Sequence, residues 1–213
     1  MRGGDSIFSK FLKLDNEKQQ RILNAAMKEF ALKGFKSAST DTIVKEAKIS
    51  KGGLFHYFNN KKDLFLFLYD YSLEIVKNSI LLKFNFDEKD IFARRRQALL
   101  LKIEVLNKHP EMYDFLAVAY MEDSSDVKND LEGRNKVAVA GGQGMLNEGI
   151  DTSNFKEGID TKKAIEIISW TIDGFNNKEM ERIKRISLHE IDYYEMLKEL
   201  DIYLDMLKKC FYK

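Results

Sequence analysis

Apolar residues recur at intervals of three and four along nearly the whole chain, and no run of four to eight residues alternates with β-branched enrichment. The pattern therefore predicts helices and no sheet. The first predicted helix covers about Asn16 to Leu32, with Ile22, Leu23, Ala26, Met27 and Phe30 on one face and Gly34 as its C-terminal cap. A polar turn from Lys36 to Thr40 leads into a short helix ending at Ala47, whose first-turn amides Ser39 or Thr40 can cap. Lys48-Ile49-Ser50 breaks it, Ser50 caps a third short helix through Tyr57, and Asn59-Asn60 turn the chain into a long helix from about Lys61 into the low eighties. Further helices are expected at about 88–107, 110–122, 125–148, 161–182 and 188–211, with Pro110 in a tolerated first-turn position and Gly149 to Asp160 as a loop. The expected class is all-α, with about nine helices.

Composition narrows the function. With 213 residues, 44% hydrophobic and 32% charged, the chain is globular, and one Pro and 12 Gly exclude collagenous or low-complexity segments. No stretch approaches the roughly 18 uninterrupted apolar residues of a membrane span. A single cysteine, Cys210, cannot close an intrachain disulfide, and with His56, His109 and His189 scattered it cannot complete a closed zinc site. No cofactor or metal is expected. The apolar patch at Ile7, Phe8, Phe11 and Leu12 is interrupted by Lys10 and Lys13, so it lacks the continuous core of a secretory signal, and a cytoplasmic location is expected.

The formal net charge of +1 conceals a split. Residues 1–62 carry 13 Lys and Arg against 6 Asp and Glu, whereas residues 63–213 carry 22 against 28. A basic first third is expected where a small module meets a polyanion; chance clustering of surface lysines is the alternative.

Two short helices joined by three or four residues and braced by a third form the arrangement that pushes one helix into the DNA major groove. Ala47 is small where the helices meet; Ile43, Val44, Ile49, Leu54 and Phe58 can form a miniature core; Lys51, His56, Tyr57 and Lys61 remain for the outer face. The stretch Ile22-Leu23-Asn24-Ala25-Ala26, then Phe30, Gly34-Phe35, Ser39, Ile43 and Ala47, resembles the DNA-binding signature of the TetR family of bacterial transcriptional regulators. The run from Ser50-Lys51-Gly52-Gly53-Leu54-Phe55-His56-Tyr57-Phe58 to Leu64 extends the likeness in order and spacing. The resemblance implies that Ser39 and Thr40 touch phosphate. It also implies that Lys51, Gly52, Gly53 and His56, behind the cap Ser50, lie against base edges, and that Tyr57 and Lys61 bind phosphate. Lys51 can donate to a guanine edge or serve a phosphate only. Two positions depart from the family pattern. Lys48 stands where the family usually has Gly, at a cost of about 1 kcal/mol if the turn needs positive φ. Gly53 replaces the more usual Ser or Thr, removing a hydroxyl and placing two glycines side by side in the recognition helix.

The expected domains are 1–62, the helix-turn-helix module, and 63–213, a helical part for effector binding and dimerisation. Such modules dimerise to read two half-sites, so a palindromic double-stranded operator is expected. In the last helix Tyr193, Leu197, Leu200, Leu204, Leu207 and Phe211 follow a heptad stripe, and Ala164, Ile168, Ile172 and Phe175 repeat similarly in the helix before it. They are expected to form the dimer interface, as the family pairs its last two helices; burial in the chain's own core is the alternative. Phe67, Phe92, Met112, Phe115, Tyr120, Met145 and Trp170 could line an apolar pocket for an apolar or amphipathic effector, although at helical spacing such residues are core more often than ligand wall. Three features are set aside. Gly141-Gly142-Gln143-Gly144 lacks the strand and Lys-Ser/Thr of a phosphate loop, Arg94-Arg95-Arg96 is taken as the solvated face of a helix, and Glu122-Asp123 as surface charge without a catalytic partner. No enzymatic activity is expected. The chain reads as a dimeric DNA-binding regulator, a repressor released by a small molecule, or, alternatively, one controlled by a protein partner or acting as an activator.

Overall fold

The computed structural model describes residues 8–183 and 192–213. The expected helix start at 188, His189 and the Ile7 end of the apolar patch lie outside them. Ten helices are seen among the described residues: α1 Ser9–Leu12, α2 Asn16–Ser37, α3 Thr40–Ala47, α4 Lys51–Tyr57, α5 Lys61–Lys83, α6 Ile91–Lys108, α7 Pro110–Tyr120, α8 Lys128–Asn147, α9 Thr161–Ile183 and α10 Tyr193–Phe211. An isolated bridge joins Phe155 and Tyr212. The fold is all-α, as the periodicity predicts. The helix beyond the expected nine is α1, a single turn that buries Phe11. No helix among the described residues is long and apolar enough to cross a membrane.

Local chemistry sets the helix ends. Asp15 caps α2 by accepting from the Lys18 amide at 2.8 Å. Gly34 has φ 67°, the left-handed conformation expected of a cap, yet the helix resumes beyond it to Ser37. The amide that Gly34 turns outward, that of Phe35, donates to Glu122 Oε2 at 2.7 Å. Asn60 Oδ1 caps the start of α5 by accepting from the Asp63 amide at 2.8 Å.

The chain divides into two compact units. Unit 1 comprises Met1–Leu81 with Glu104–Gly141, and unit 2 comprises Leu82–Ile103 with Gly142–Lys213. Within unit 1, α2 packs along α7 and α3. Its core is aromatic: Phe65 meets Phe30 at 4.9 Å, Phe35 at 5.3 Å and Phe115 at 5.2 Å, while Phe58, Phe11 and Phe67 close a second group. Such rings bury large areas and favour tilted or edge contacts of this kind. Within unit 2, Ile91, Phe92, Phe155, Ala164, Ile168, Phe175, Leu200 and Leu204 form a smaller core, joined by Tyr212.

The arginine run departs from its sequence reading. Arg94 is 2% exposed and Arg95 5% exposed, so they are not a solvated face; only Arg96, paired with Asp201 at 2.8 Å, has the expected exposure. Consecutive helical residues point about 100° apart, so the run cannot share one environment, and two of its three positions fall on the buried side of α6.

Candidate nucleic-acid interface

The recognition geometry begins with two hydroxyl caps. Ser39 precedes α3 and accepts from the Thr42 amide at 3.4 Å, and Ser50 precedes α4 and accepts from the Gly53 amide at 3.0 Å. Each cap fixes an extended residue before a helix whose first amides face outward, the arrangement that receives phosphate. Between the helices Lys48 has φ 55° and ψ 47°, with its amide and that of Ile49 directed back to the Val44 carbonyl. The turn therefore does need the left-handed region, and a β-carbon-bearing side chain occupies it.

Gly53 has a local reason. A β-carbon there would stand 3.1 Å from Ser50 Oγ, crowding the capping hydroxyl, whereas Gly52 has open space around it. The pair thus keeps the cap intact at one position and leaves bare backbone at the other, where another molecule can approach closely.

Lys51, the expected base reader, is exposed, and its ammonium lies 2.8 Å from Asp41 Oδ1 in the first turn of α3. The sequence reading did not single out Asp41. An acid in the first turn of a helix is so common a helix-start signal that only the fold reveals its reach to the recognition helix. His56 is exposed, with its ring 5.7 Å from that of Tyr57. Tyr57 is half-buried against Phe11, with Lys18 Nζ 5.8 Å over its ring. Thr40 is half-buried beside the Ser39 cap.

Lys61 sits differently from the other cations. Its ammonium donates to the carbonyls of Lys36 at 3.0 Å and Ala38 at 3.1 Å, and lies 5.0 Å over the Phe35 ring. Two of its three N–H groups therefore hold the end of α2. Lys62 pairs with Asp130 at 2.8 Å, a hydrogen bond that holds the Asp130 carboxyl below the usual carboxylate range. Two acids complete the same junction: Glu29, buried, accepts from the Ser39 amide at 2.9 Å, and Glu122 accepts from the amides of Phe35 and Ser124. Glu122, set aside as surface charge, is a backbone cap. Lys61, Glu29 and Glu122 together fix where α3 starts and hence where Ser39 and Thr40 stand.

The other expected sites are dispersed. Phe67, Met112 and Phe115 are core residues of unit 1, and Phe92 is a core residue of unit 2 packed against Tyr212. Met145 is half-buried, while Tyr120 and Trp170 are exposed. The expected dimer stripe is largely consumed within unit 2: Ala164, Ile168, Phe175, Leu200 and Leu204 are buried, with Ile172, Leu207 and Phe211 packed against them. Tyr193 and Leu197 are half-buried. Burial in the chain's own core, the alternative stated with that stripe, describes most of it.

Residues 22–68 match the model described as "Bacterial regulatory proteins, tetR family". The "Uncharacterized HTH-type transcriptional regulator YuxN" of Bacillus subtilis is 33% identical over 116 residues, 54% of this chain and 38% of that protein, so the match spans little over a third of that relative. The "Fatty acid metabolism regulator protein" of the same organism is 26% identical over 172 residues, 76% of this chain and 83% of that protein. The crystal structure of the transcriptional regulator FadR from Bacillus subtilis in complex with stearoyl-CoA shares the fold, with a TM-score of 0.59 at 18% identity over 88% of this chain and 96% of that one. The family match lies over the helix-turn-helix whose caps, left-handed turn and second short helix are described above, and residues 22–68 carry the DNA-binding signature of the TetR family of bacterial regulatory proteins.

Proposed function

We propose that the chain acts as a homodimer that binds a palindromic operator through α3 and α4 and represses transcription until a small-molecule effector releases it. The observation that carries this reading is the recognition end of unit 1. There, two hydroxyl-capped helix starts, an open glycine backbone at Gly52 and the exposed ammonium of Lys51 lie on one short segment. Ser39, Thr40 and Tyr57 serve phosphates, and Lys51 and His56 face base edges. Lys61 contributes chiefly by positioning α3.

Since the inward faces of α9 and α10 are filled, dimerisation falls to their outward faces. Ile167, Trp170 and Gly174 share one side of α9, and Ile202 and Met206 share one side of α10. Trp170 is 64% exposed, a large apolar side chain open to a partner surface. An effector is supported by the relative solved with stearoyl-CoA. α5 begins at Lys61 and runs unbroken to Lys83, so a ligand that shifts its far end would alter the spacing of the two recognition helices.

Selection from a pool of randomised duplexes tests the reading. It should enrich an inverted repeat with half-sites about one helical turn apart or more, bound by two chains as measured by sedimentation. Enrichment of a single asymmetric site by one chain, or no enrichment, would sink it.

A further inference from the structure

Two stretches set aside in the sequence reading meet inside unit 2. Arg95 on α6 donates from Nη1 to Gln143 Oε1 at 2.9 Å, and from Nη2 to Asn147 Oδ1 at 2.6 Å and Ser169 Oγ at 2.9 Å. Gln143 and Asn147 are one turn apart on α8, and Ser169 lies on α9, where its hydroxyl also donates to the Ile165 carbonyl at 2.9 Å. Every partner of this guanidinium is neutral. Among the described residues no carboxylate reaches it at ion-pair distance, and the acid whose charge it feels, Asp173, is itself exposed. Arg95 Nε is buried without a hydrogen-bond partner.

Arg94, its neighbour in sequence, provides the internal control. It is buried as deeply, but it donates to the backbone carbonyls of Phe86, Glu88, Met145 and Glu148, closing the end of α8 and the loop before α6. Arg94 is thus explained by the chain it caps. Arg95 is not, because its acceptors are side chains that can rotate away, and a buried cation with no counter-charge carries a desolvation cost that neutral partners offset without leaving a surplus. Desolvation lowers its pKa to about 10, which still leaves it charged at neutral pH.

Donors are in surplus around it. Arg95 Nε, Gln143 Nε2 and Asn147 Nδ2 find no acceptor among the described residues. Nε and one Nη share the edge of a guanidinium that takes a carboxylate side-on. The approach is thinly screened. Gln143 and Asn147 are only half-buried, and on either side of Gln143 the glycines 142 and 144 have open space where side chains would stand. Beside Arg95 on α6 stand Phe92 and Leu99, and beside Ser169 on α9 stand Ile165, Ile168 and Ile172, so an apolar chain can lie next to the charge.

We propose that Arg95 anchors the carboxylate of an amphipathic small-molecule effector, the carboxylate taking the Nε edge and the amides of Gln143 and Asn147 turning to donate to it. This rests on the reading of the protein as effector-controlled. Binding is read by isothermal titration calorimetry, which needs neither DNA nor a fluorophore at the site.

Titrating the full-length protein with octanoate should give a saturable heat of binding, with octanol binding at least about 10-fold more weakly. Arg95→Gln should weaken octanoate by about 10- to 100-fold, the range expected for hydrogen bonds to a charged group, and leave octanol unchanged. Arg95→Lys, which keeps the charge but not the fork, should fall between. Equal binding of octanoate and octanol to the unaltered protein would overturn the proposal, and that comparison holds even if the variants fail to fold. So would undiminished octanoate binding by Arg95→Gln, or saturable binding of octyl phosphate where octanoate gives none. If octanoate binds through Arg95 but leaves operator affinity untouched, the effector reading fails while the anchor stands. If operator binding is intact and octanoate does not bind, the anchor alone fails.

Discussion

Glu29 in unit 1 and Arg95 in unit 2 are buried to a similar degree, 7% and 5% exposed, yet they stand in opposite surroundings. Glu29 accepts from a backbone amide, and together with Glu122 and Lys61 it closes the junction between α2 and α3. Backbone groups cannot rotate away, so a charge spent on them fixes architecture. Arg95 meets three side chains that hold it only by choice of rotamer. Burial alone does not separate a structural charge from a site; what separates them is whether the partner is free to move.

The sharpest way to break this comparison is to remove the two buried arginines one at a time. Arg94→Met deprives four carbonyls of a charged donor and should destabilise the protein by about 2–4 kcal/mol, read from urea unfolding by circular dichroism. Arg95→Met removes a buried charge with no counter-ion, while its former partners can turn to water. It should change stability by less than about 1 kcal/mol in either direction. Equal and large losses for both would make Arg95 a structural cap like its neighbour and remove the basis for the anchor.

The two arginines also mark how far sequence reading reaches. The recognition end was legible because its signals are local: Ser39 and Ser50 cap the helices that follow them, Lys48 must turn between fixed neighbours, and the apolar spacing of Ile43, Val44 and Leu54 sets the small core. The order and type of the helices followed from the same periodicity. Side chains acting across the fold were not legible. Arg94, Arg95 and Arg96 are identical in sequence terms, and only the rotation of α6 against its neighbours assigns one to carbonyls, one to amides and one to Asp201. Glu122 and Asp41 share that difficulty, since their partners lie 87 and 10 residues away. The heptad stripe in α10 shows a related limit: periodicity identifies an apolar face without saying whether the surface it meets belongs to the same chain.

A smaller effect tests whether the local signals were read with the right magnitude. Lys48 adopts φ 55° where glycine has no steric penalty. Lys48→Gly should raise stability by about 0.5–1 kcal/mol, the left-handed strain relieved less the extra freedom glycine gives the unfolded chain. A melting temperature that stays level or falls would mean that the turn gains from the lysine side chain something its φ does not reveal.

The smallest effect bears on function most directly. Asp41 holds the Lys51 ammonium in an exposed pair, worth at most about 1 kcal/mol, and on the proposed reading it also places a negative charge on the face that meets phosphate. Asp41→Asn should therefore tighten operator binding by up to about 5-fold, while slightly lowering the stability of the free protein, because an acid in the first turn of α3 interacts favourably with the helix dipole. Gain in one measurement and loss in the other distinguishes this from a general change in folding. The two contributions of Asp41 separate in a double-mutant cycle with Lys51→Ala. Repulsion of phosphate persists without Lys51, whereas restraint of its ammonium cannot. A coupling of zero, with Asp41→Asn strengthening DNA binding equally in both backgrounds, would mean that the acid acts on the duplex alone and that Lys51 is already free to read it.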